Sequence, residues 1–344
     1  MDNLSEKISD LRRSWGSRVL ILAHHYQTDA VLQHADAIGD SLELARRAAS
    51  ETKAERIAFC GVRFMAETAD ILTAPQQRVY VPDTEALCPM AAMADAAEAG
   101  IAWKTVTRYG GGPDAWRPIV YVNSTAEVKA FCGHHGGWAC TSGNATAAFR
   151  HALDDGRRIL FLPDEHLGVN TARTLGIPDN QQAIYDPALD NGGLSPQTLD
   201  TARVVVWKGY CHVHTAFMAE QIAAVRKRYA GVHVIVHPEC PTNVVALSDE
   251  SGSTARIIEV VRNAPPDSII AIGTEARLVR RLAREQQGQR TIIPLQDSIC
   301  PNMSRNTESK LATLLDLWPE SQCVNVHESL REPARLALER MLAV

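Results

Sequence analysis

One pattern of strands and helices, roughly 80 to 100 residues long, is repeated three times in this chain, and each copy ends in a cysteine. In each copy a strand ends in a polar residue, a hydroxyl-bearing turn follows 17 to 19 residues later, and two further strands precede the cysteine. The equivalent positions are His24, Asn123 and His237 at the strand ends, Ser41, Ser142 and Thr254 in the turns, and Cys88, Cys211 and Cys300. Because repeats constrain a fold more than isolated motifs do, the chain is predicted to contain three homologous units.

The alternation of strands and helices predicts an α/β fold. The copies open with predicted strands at 18–23, 118–122 and 232–236, and several strands are apolar on both faces. Such strands are typical of parallel sheets covered by helices, which here predicts three-layer αβα domains. In such sheets ligands bind beyond the carboxyl ends of the strands. Three domains around a pseudo-threefold axis would therefore point the polar residues and the cysteines at one central site.

The repeats also predict where the domains begin and end. We expect a first αβα repeat with an N-terminal helix at 1–107, a second repeat at 108–228 and a third at 229–305. Residues 306–344 are expected to form a helical tail that packs on the repeats. The second copy is longer because of the segment 174–199, whose Pro, Gly, Asn and Asp content predicts a surface loop.

Composition narrows the class of protein. With 344 residues, 45% hydrophobic and 22% charged, the chain is expected to be globular. Its net charge of −5, without a basic cluster, argues against a nucleic-acid or membrane partner. The N-terminal sequence lacks a signal-peptide core, and no apolar run approaches the roughly 20 residues of a membrane helix. We therefore expect a cytoplasmic protein, in which eight cysteines would not form a disulfide framework.

Three equivalent thiolates without a fourth protein ligand suit a [4Fe-4S] cluster with one open iron. Zinc stays open on this reasoning, because three protein ligands and a water are its catalytic arrangement. An open iron would act as a Lewis acid toward a hydroxyl or carboxylate, which suits dehydration.

The remaining cysteines are interpreted as structural. Cys132 and Cys140 enclose two histidines in FCGHHGGWAC, which looks like a metal site but lies in a Gly-rich connection. Cys240 occupies the repeat position of Gln27 and is not equivalent to the three ligand candidates. The last two, Cys60 and Cys323, are expected in the core or at the surface.

Acid–base and anion-binding candidates lie in the same loops. His24 and Tyr26 (AHHYQ) and His237 and Glu239 (HPEC) leave strand ends, where imidazole and carboxylate groups suit proton transfer near neutral pH. Tyr121 and Asn123 (YVN) would supply neutral hydrogen bonds. The three hydroxyl turns could simply cap helices. If their helix N-termini also face the centre, they favour a substrate rich in carboxylate or phosphate.

These motifs resemble one enzyme family. AHHYQ, IGDSLELA, FCGVRFMAETADIL, PDTEALCPMA, YVNSTAEVKA, TSGNA, PDEHLG, WKGYCHVH, HPEC, GST and CPNM occur in order from about residue 18 to 305 and are similar to those of quinolinate synthases. The resemblance implies a transferase of NAD (pyridine nucleotide) biosynthesis. It would condense iminoaspartate with dihydroxyacetone phosphate to quinolinate, releasing phosphate and water. It also implies a functional link to an enzyme that makes iminoaspartate, L-aspartate oxidase or aspartate dehydrogenase.

The resemblance also implies residue roles. Cys88, Cys211 and Cys300 would hold a [4Fe-4S] cluster whose open iron assists dehydration. The implied substrate contacts are His24, Tyr26, Ser41, Tyr121, Asn123, Ser142, His237, Glu239 and Thr254. Among them Tyr26, His237 and Glu239 are the catalytic candidates. The sequence departs from the family pattern at His25 and in the lengthened FCGHHGGW connection, and neither departure removes a matched ligand.

Two other functions are compatible with three such cysteines. Diphthamide-biosynthesis radical enzymes resemble the same three-domain, three-cysteine arrangement but bind S-adenosylmethionine at the open iron. A non-catalytic iron-sulfur sensor would need a DNA or partner surface. The motifs HPEC, AHHYQ and CPNM argue against the first, and the many polar strand-end residues argue against the second.

Overall fold

A computed structural model describes residues 4–344, so the first three residues of the first predicted domain lie outside the described part. The chain divides into two units, one of residues up to 88 with 299–331 and one of residues 89–298 with 332–344. The predicted boundaries at 107, 228 and 305 are not tested by this division and stay predictions.

The first unit contains one five-stranded sheet. Its strands follow the order β2-β1-β3-β4-β14, in which only the short β14 (Cys323–Val324) is antiparallel to its neighbour. The elements are α1 (Leu4–Trp15), β1 (Val19–His24), α2 (Asp29–Leu32), β2 (Ala37–Gly39), α3 (Ser41–Ala49), β3 (Arg56–Cys60), α4 (Arg63–Leu72) and β4 (Arg78–Tyr80). Near the end of the chain this unit adds the helix 308–317 and the strand 323–324.

The second unit contains two sheets. The elements of the first are α5 (Ala96–Tyr109), β5 (Trp116–Tyr121), α6 (Ala126–His134), β6 (Trp138–Cys140), α7 (Ala145–Asp154), β7 (Arg158–Leu162), α8 (Glu165–Thr174), β8 (Gln182–Tyr185), α9 (Pro196–Thr201) and β9 (Val204–Trp207). Those of the second are α10 (Ala219–Arg228), β10 (His233–Val236), α11 (Thr242–Leu247), β11 (Glu250–Ser251), α12 (Thr254–Asn263), β12 (Ile269–Gly273), α13 (Ala276–Glu285) and β13 (Thr291–Pro294).

The last elements of the chain are α14 (Glu308–Leu317), β14 (Cys323–Val324) and α15 (Glu328–Leu342).

The same strand order occurs in all three sheets. The orders β2-β1-β3-β4, β6-β5-β7-β9 and β11-β10-β12-β13 each place the opening strand of a copy second in the sheet, and all these pairs are parallel. In a doubly wound sheet, ligands bind where the strand order reverses, here at the end of that opening strand. The predicted α/β class with parallel sheets flanked by helices is confirmed. The pseudo-threefold arrangement stays a prediction.

Two details differ from the sequence-based expectation. The edge strands β2, β6 and β11 were not predicted, because they are only two or three residues long. The segment 174–199 was predicted as a surface loop, and this was wrong. It contains β8, which pairs with β9, and its Tyr185 is buried and stacks on Trp207 with 5.2 Å between ring centroids.

The last helix is fastened to the second unit by backbone contacts. A Cβ on Gly133 would lie 1.7 Å from the carbonyl oxygen of Pro333, so only glycine lets α6 approach α15 this closely. Arg340 donates to the carbonyl of Gly137 at 2.6 Å.

Within the described residues, no helix combines the length and apolarity needed to cross a membrane.

Candidate active site

A buried carboxylate, Glu239, is the centre of a hydrogen-bonded chain in the second unit. Tyr121 donates its phenolic O–H to Oε1 of Glu239, and Nδ1 of His214 lies 2.5 Å from Oε2. The other ring nitrogen of His214 lies 3.1 Å from Oγ1 of Thr274. Glu239 and His214 are each only 2% exposed. The structure thus connects residues of the YVN, WKGYCHVH and HPEC motifs in one polar network.

The electrostatics of this network keep Glu239 ionised. Burial alone would raise the pKa of the carboxyl, since a charged group is poorly solvated there. The electrostatic influence of His214 and His237, with the hydrogen bonds from His214 and Tyr121, outweighs that effect and lowers the pKa of Glu239 to about 2. At neutral pH Glu239 is therefore an anion that accepts hydrogen bonds.

His237 is a buried histidine held against its neighbours. Its ring stacks on that of His214, with 4.2 Å between centroids and 13° between planes. Burial, and secondarily the charge of His214, lower the pKa of His237 to about 3, although Glu239 opposes this. Its Nδ1 accepts the backbone N–H of Glu239 at 3.3 Å. The neutral ring therefore carries its proton on Nε2.

The first unit repeats this hydrogen bond. Nδ1 of His24 accepts the backbone N–H of Tyr26 at 3.2 Å, which also assigns the proton of His24 to Nε2. The two rings meet edge to face at 4.5 Å. The departure from the family pattern, His25, lies 3.6 Å from the carboxylate of Glu43.

Helix α8 is hydrogen-bonded to the HPEC turn through the side chain of Asn170. Asn170 donates to the carbonyls of Pro238 and Cys240 at 2.9 and 3.0 Å. At the start of the same helix, Asp164 is fully buried and accepts the N–H of Leu167 at 2.6 Å through Oδ1. Burial, with the nearby charge of Glu239, raises the pKa of Asp164 well above its usual range. Burial and the charge of Glu239 thus both favour the protonated form of Asp164.

The alternative that the three hydroxyls are simply helix caps is wrong for all three. Asp40 caps α3 and Ser253 caps α12, so Ser41 and Thr254 are the first residues inside their helices. Ser142 lies two residues before Asn144, at the N-cap of α7. The caps lie one or two residues from these positions, and the sequence does not distinguish them because a nearby Asp, Ser or Asn caps a helix equally well.

In the second unit the structure brings two of the predicted turns together. A Cβ on Gly143 would lie 3.5 Å from Oγ of Ser253, so the turn carrying Ser142 is next to the turn carrying Thr254. Asn144 shapes the first of these turns, accepting the N–H of Thr141 at 2.8 Å and donating to the carbonyl of Met341 at 2.9 Å.

The remaining predicted contact in this unit is Asn123. Its side-chain oxygen is buried and has no protein partner within residues 4–344. Such an acceptor can receive a hydrogen bond from a ligand.

The eight cysteines separate by environment. No disulfide joins any of them within residues 4–344. Burial raises the pKa of Cys60 and Cys132 to about 12 and that of Cys140 and Cys240 well above its usual value. Such thiols keep their protons, whereas a metal ligand must be a thiolate. The half-buried group contains the three predicted ligands and Cys323.

The three predicted ligands occupy equivalent places in their copies. Each lies in a loop that follows the last strand of its copy, after β4, β9 and β13. Cys323 instead lies in β14, and burial raises the pKa of its thiol. By its chemistry, a donor set of three half-buried thiols fits a soft-metal cluster.

The FCGHHGGWAC segment has a structural role in the fold. Its Gly133 lies against α15, and the ring of His135 packs at a tilt on that of Trp103, with 4.7 Å between centroids. Cys132 donates to the carbonyl of Trp138 at 3.2 Å. These packing contacts account for Cys132, Gly133 and His135 of the segment.

A second group of metal-ligand types occurs in the network. One donor atom each from Cys211, His214 and Glu239 lies within 4.8 Å of the others. The 2.5 Å between Nδ1 of His214 and Oε2 of Glu239 is a hydrogen-bond distance. Two ligands that are each about 2 Å from a zinc ion would be farther apart. As packed, this pair is a hydrogen bond.

Two residues of the network, His214 and Thr274, were not singled out from the sequence. Equivalence between the copies could not indicate His214, because the positions matching it are Ala91 and Met303. The available signal was a histidine three residues after a ligand cysteine in WKGYCHVH.

Comparison with known proteins identifies relatives of the whole chain. The sequence profile of the quinolinate synthetase A protein family (NadA) matches residues 6–343. The quinolinate synthase of Corynebacterium glutamicum is 45% identical over 348 residues, covering 100% of this chain and 88% of that protein. Those of Bacillus velezensis and Streptomyces coelicolor are 44% and 45% identical, covering 99% and 96% of this chain and 93% and 85% of theirs. The resemblance found in the motifs is thus confirmed.

Proposed function

The chain belongs to the quinolinate synthetase A family, and on that premise we propose that it is a quinolinate synthase that condenses iminoaspartate with dihydroxyacetone phosphate. The products would be quinolinate, phosphate and water, which makes the enzyme a transferase of NAD biosynthesis. The observation that carries the proposal is the family match over residues 6–343, in which neither departure from the motifs removes a matched ligand.

The proposed cofactor is a [4Fe-4S] cluster held by Cys88, Cys211 and Cys300. When bound, an open iron of such a cluster supplies a Lewis acid for a substrate oxygen during loss of water. The support from this chain is that four of the other thiols are buried and protonated, and that the fifth lies in a strand.

Substrate binding would use polar groups at strand ends and the first turns of helices. Two carboxylates and a phosphate need donors, and the N-termini of α3, α7 and α12 carry partial positive charge. We assign these anions to Ser41, Ser142, Thr254 and Asn123. His24 would donate a hydrogen bond from Nε2, the nitrogen on which its backbone contact leaves the proton.

The acid–base steps are assigned to Tyr26, His237 and Glu239. In its neutral form His237 donates from Nε2 to a substrate oxygen, since its Nδ1 is engaged by the backbone. The anion of Glu239 would stabilise positive charge that develops on the His237 ring, 3.8 Å from it. Tyr26 would exchange a proton through its phenolic oxygen during isomerisation and ring closure.

Iminoaspartate would come from a separate enzyme. An imine hydrolyses in water, so the substrate must be made as it is used. We propose an L-aspartate oxidase or aspartate dehydrogenase as the functional partner, and a cytoplasmic location for both.

The test is anaerobic purification followed by iron and sulfide analysis and an assay for quinolinate. We expect about four irons per chain. Single Cys→Ala variants at 88, 211 and 300 should lose the iron and the activity, while Cys132→Ala and Cys240→Ala should keep both. Iron retained after removal of any of the first three would contradict the ligand assignment, and an iron-loaded enzyme that makes no quinolinate would contradict the activity.

A further inference from the structure

A buried aspartate orders the loop that leads to Cys88. Asp83 is 8% exposed, and its Oδ1 accepts the backbone N–H of Glu85 at 2.7 Å. Its carbonyl accepts the N–H of Ala86 at 3.2 Å, and the carbonyl of Ala86 accepts the N–H of Arg63 at 2.9 Å. These bonds fold residues 83–86 into a turn that is fastened to the start of α4 and ends two residues before the cysteine.

The other oxygen of Asp83 reaches a different segment of the same unit. Nζ of Lys310, in α14, donates to Oδ2 at 2.5 Å, and Nε of Arg305 lies 3.4 Å from the same oxygen. Lys310 also donates to the carbonyl of Arg305 at 3.1 Å. One carboxylate thus receives two cations that are 227 and 222 residues further along the chain.

The segment that supplies these cations begins at Cys300. The carbonyl of Cys300 accepts both the N–H and the hydroxyl of Ser304, at 3.2 and 2.8 Å, which closes a turn ending at Arg305. The next residue, Asn306, is 1% exposed and donates to the carbonyl of Gly61 at 2.9 Å. The turn bearing Cys300 is therefore fixed at the end where Asp83 binds.

We propose that Asp83 is a positioning residue for the iron-sulfur cluster, because its ion pairs with Lys310 and Arg305 fasten the Cys88 loop to the Cys300 turn. The inference rests on the proposed function, since it requires both thiolates to be ligands. It adds a residue that makes no bond to iron. Preorganisation of two of three ligands would slow the opening through which oxygen reaches the cluster.

The test uses Asp83→Asn in the full-length protein reconstituted without oxygen. Asparagine keeps the acceptor for the N–H of Glu85 and removes only the charge. Lys310 and Arg305 each have 44% of their side chains exposed and can regain water, so the variant should fold. We expect normal far-UV circular dichroism, and bleaching of the cluster absorbance in air on the order of tenfold faster than in the unmodified protein.

Two further variants separate positioning from general loss of stability. Lys310→Met should speed bleaching in the same way, and the double variant should bleach no faster than Asp83→Asn. The matched control is Asp316→Asn, which removes an ion pair between Lys7 and α14 in the same unit and should bleach at the unmodified rate.

The outcomes distinguish this inference from the function it rests on. Unmodified iron and sulfide content with unmodified bleaching in both Asp83→Asn and Lys310→Met would overturn the positioning role. An unmodified protein that takes up no iron and sulfide would overturn the proposed function, and the inference with it.

Discussion

Nδ1 of His237 accepts the backbone N–H of Glu239 at 3.3 Å, and this contact leaves Nε2 as the ring nitrogen that carries the proton. The ring also stacks on His214 and is 3% exposed. A histidine held this way is a rigid hydrogen-bond donor at neutral pH. The same contact occurs at His24, so each unit holds one histidine through a backbone N–H in this way.

The low pKa of His237 predicts an acid-labile fold. Its pKa is about 3 in the folded protein and about 6.5 in the unfolded chain, so the unfolded chain gains a proton first as the pH falls. The stability linked to His237 is therefore complete above about pH 6.5 and declines between pH 6.5 and 3. Between pH 7 and 5, His237→Gln should lose about 2 kcal/mol less stability than the unmodified protein in urea titrations.

The control for this titration is His327→Gln, since His327 is exposed. Its curves should parallel those of the unmodified protein. Equal pH dependence in His237→Gln would contradict the burial argument.

In the quinolinate assay His237→Ala should lose on the order of 10²- to 10⁴-fold in turnover.

Removal of the Tyr121 hydroxyl should weaken the stabilisation of the ionised Glu239 carboxylate. Tyr121→Phe takes away a donor to the buried carboxylate, which should cost about 1 to 3 kcal/mol of stability and raise the pKa of Glu239. We expect a lower urea midpoint and reduced quinolinate formation. Tyr109→Phe is the matched control, because that half-buried ring lies at the end of α5 beside Arg108. Equal stability of the two variants would show that the hydrogen bond contributes nothing.

The close approach of α6 and α15 predicts a severe effect from a single methyl group. Gly133→Ala should destabilise the protein by about 1 to 3 kcal/mol, since the methyl would collide with the carbonyl of Pro333. Gly100→Ala, also inside a helix but with open space around it, should gain about 0.5 to 1 kcal/mol. Thermal unfolding checks both, and a stabilised Gly133→Ala would contradict the packing described.

The turn around Ser142 should depend on Asn144. Asn144→Ala removes hydrogen bonds to Thr141 and Met341, which should loosen the turn without touching the proposed acid–base residues. We expect KM for at least one substrate to rise on the order of tenfold, with a smaller fall in kcat. Asn263→Ala, at the exposed end of α12, should leave both constants unchanged. A fall in kcat alone would assign Asn144 a different role.

The repeated pattern predicted most of the fold. A buried parallel strand is apolar throughout, so its end is visible in the sequence. The repeat of these apolar runs therefore predicted that His237 lies at a strand end and that Cys211 lies in the loop after a strand. The strand β8 could not be recognised, since its four residues are surrounded by Gly, Pro and Asn. Edge strands such as β2 have too few residues to show any period.

The polar network was predicted only in part. Tyr121 and Glu239 lie in motifs that attract attention by themselves, and the structure places them in contact. His214 belongs to one copy only, so comparison between copies could not find it. The role of Gly133 was also hidden, because a close approach between two helices leaves no mark in a sequence except the glycine itself.

The hydrogen bond from Asn144 to Met341 has a consequence for protein synthesis. The two residues are 197 positions apart, so at roughly 5 to 20 residues per second the turn of Ser142 waits about 10 to 40 s for its partner to be made. Lys310 reaches Asp83 after a similar delay, across 227 positions. A growing chain therefore completes the turns of Ser142 and Asp83 only after most of its other residues have been made.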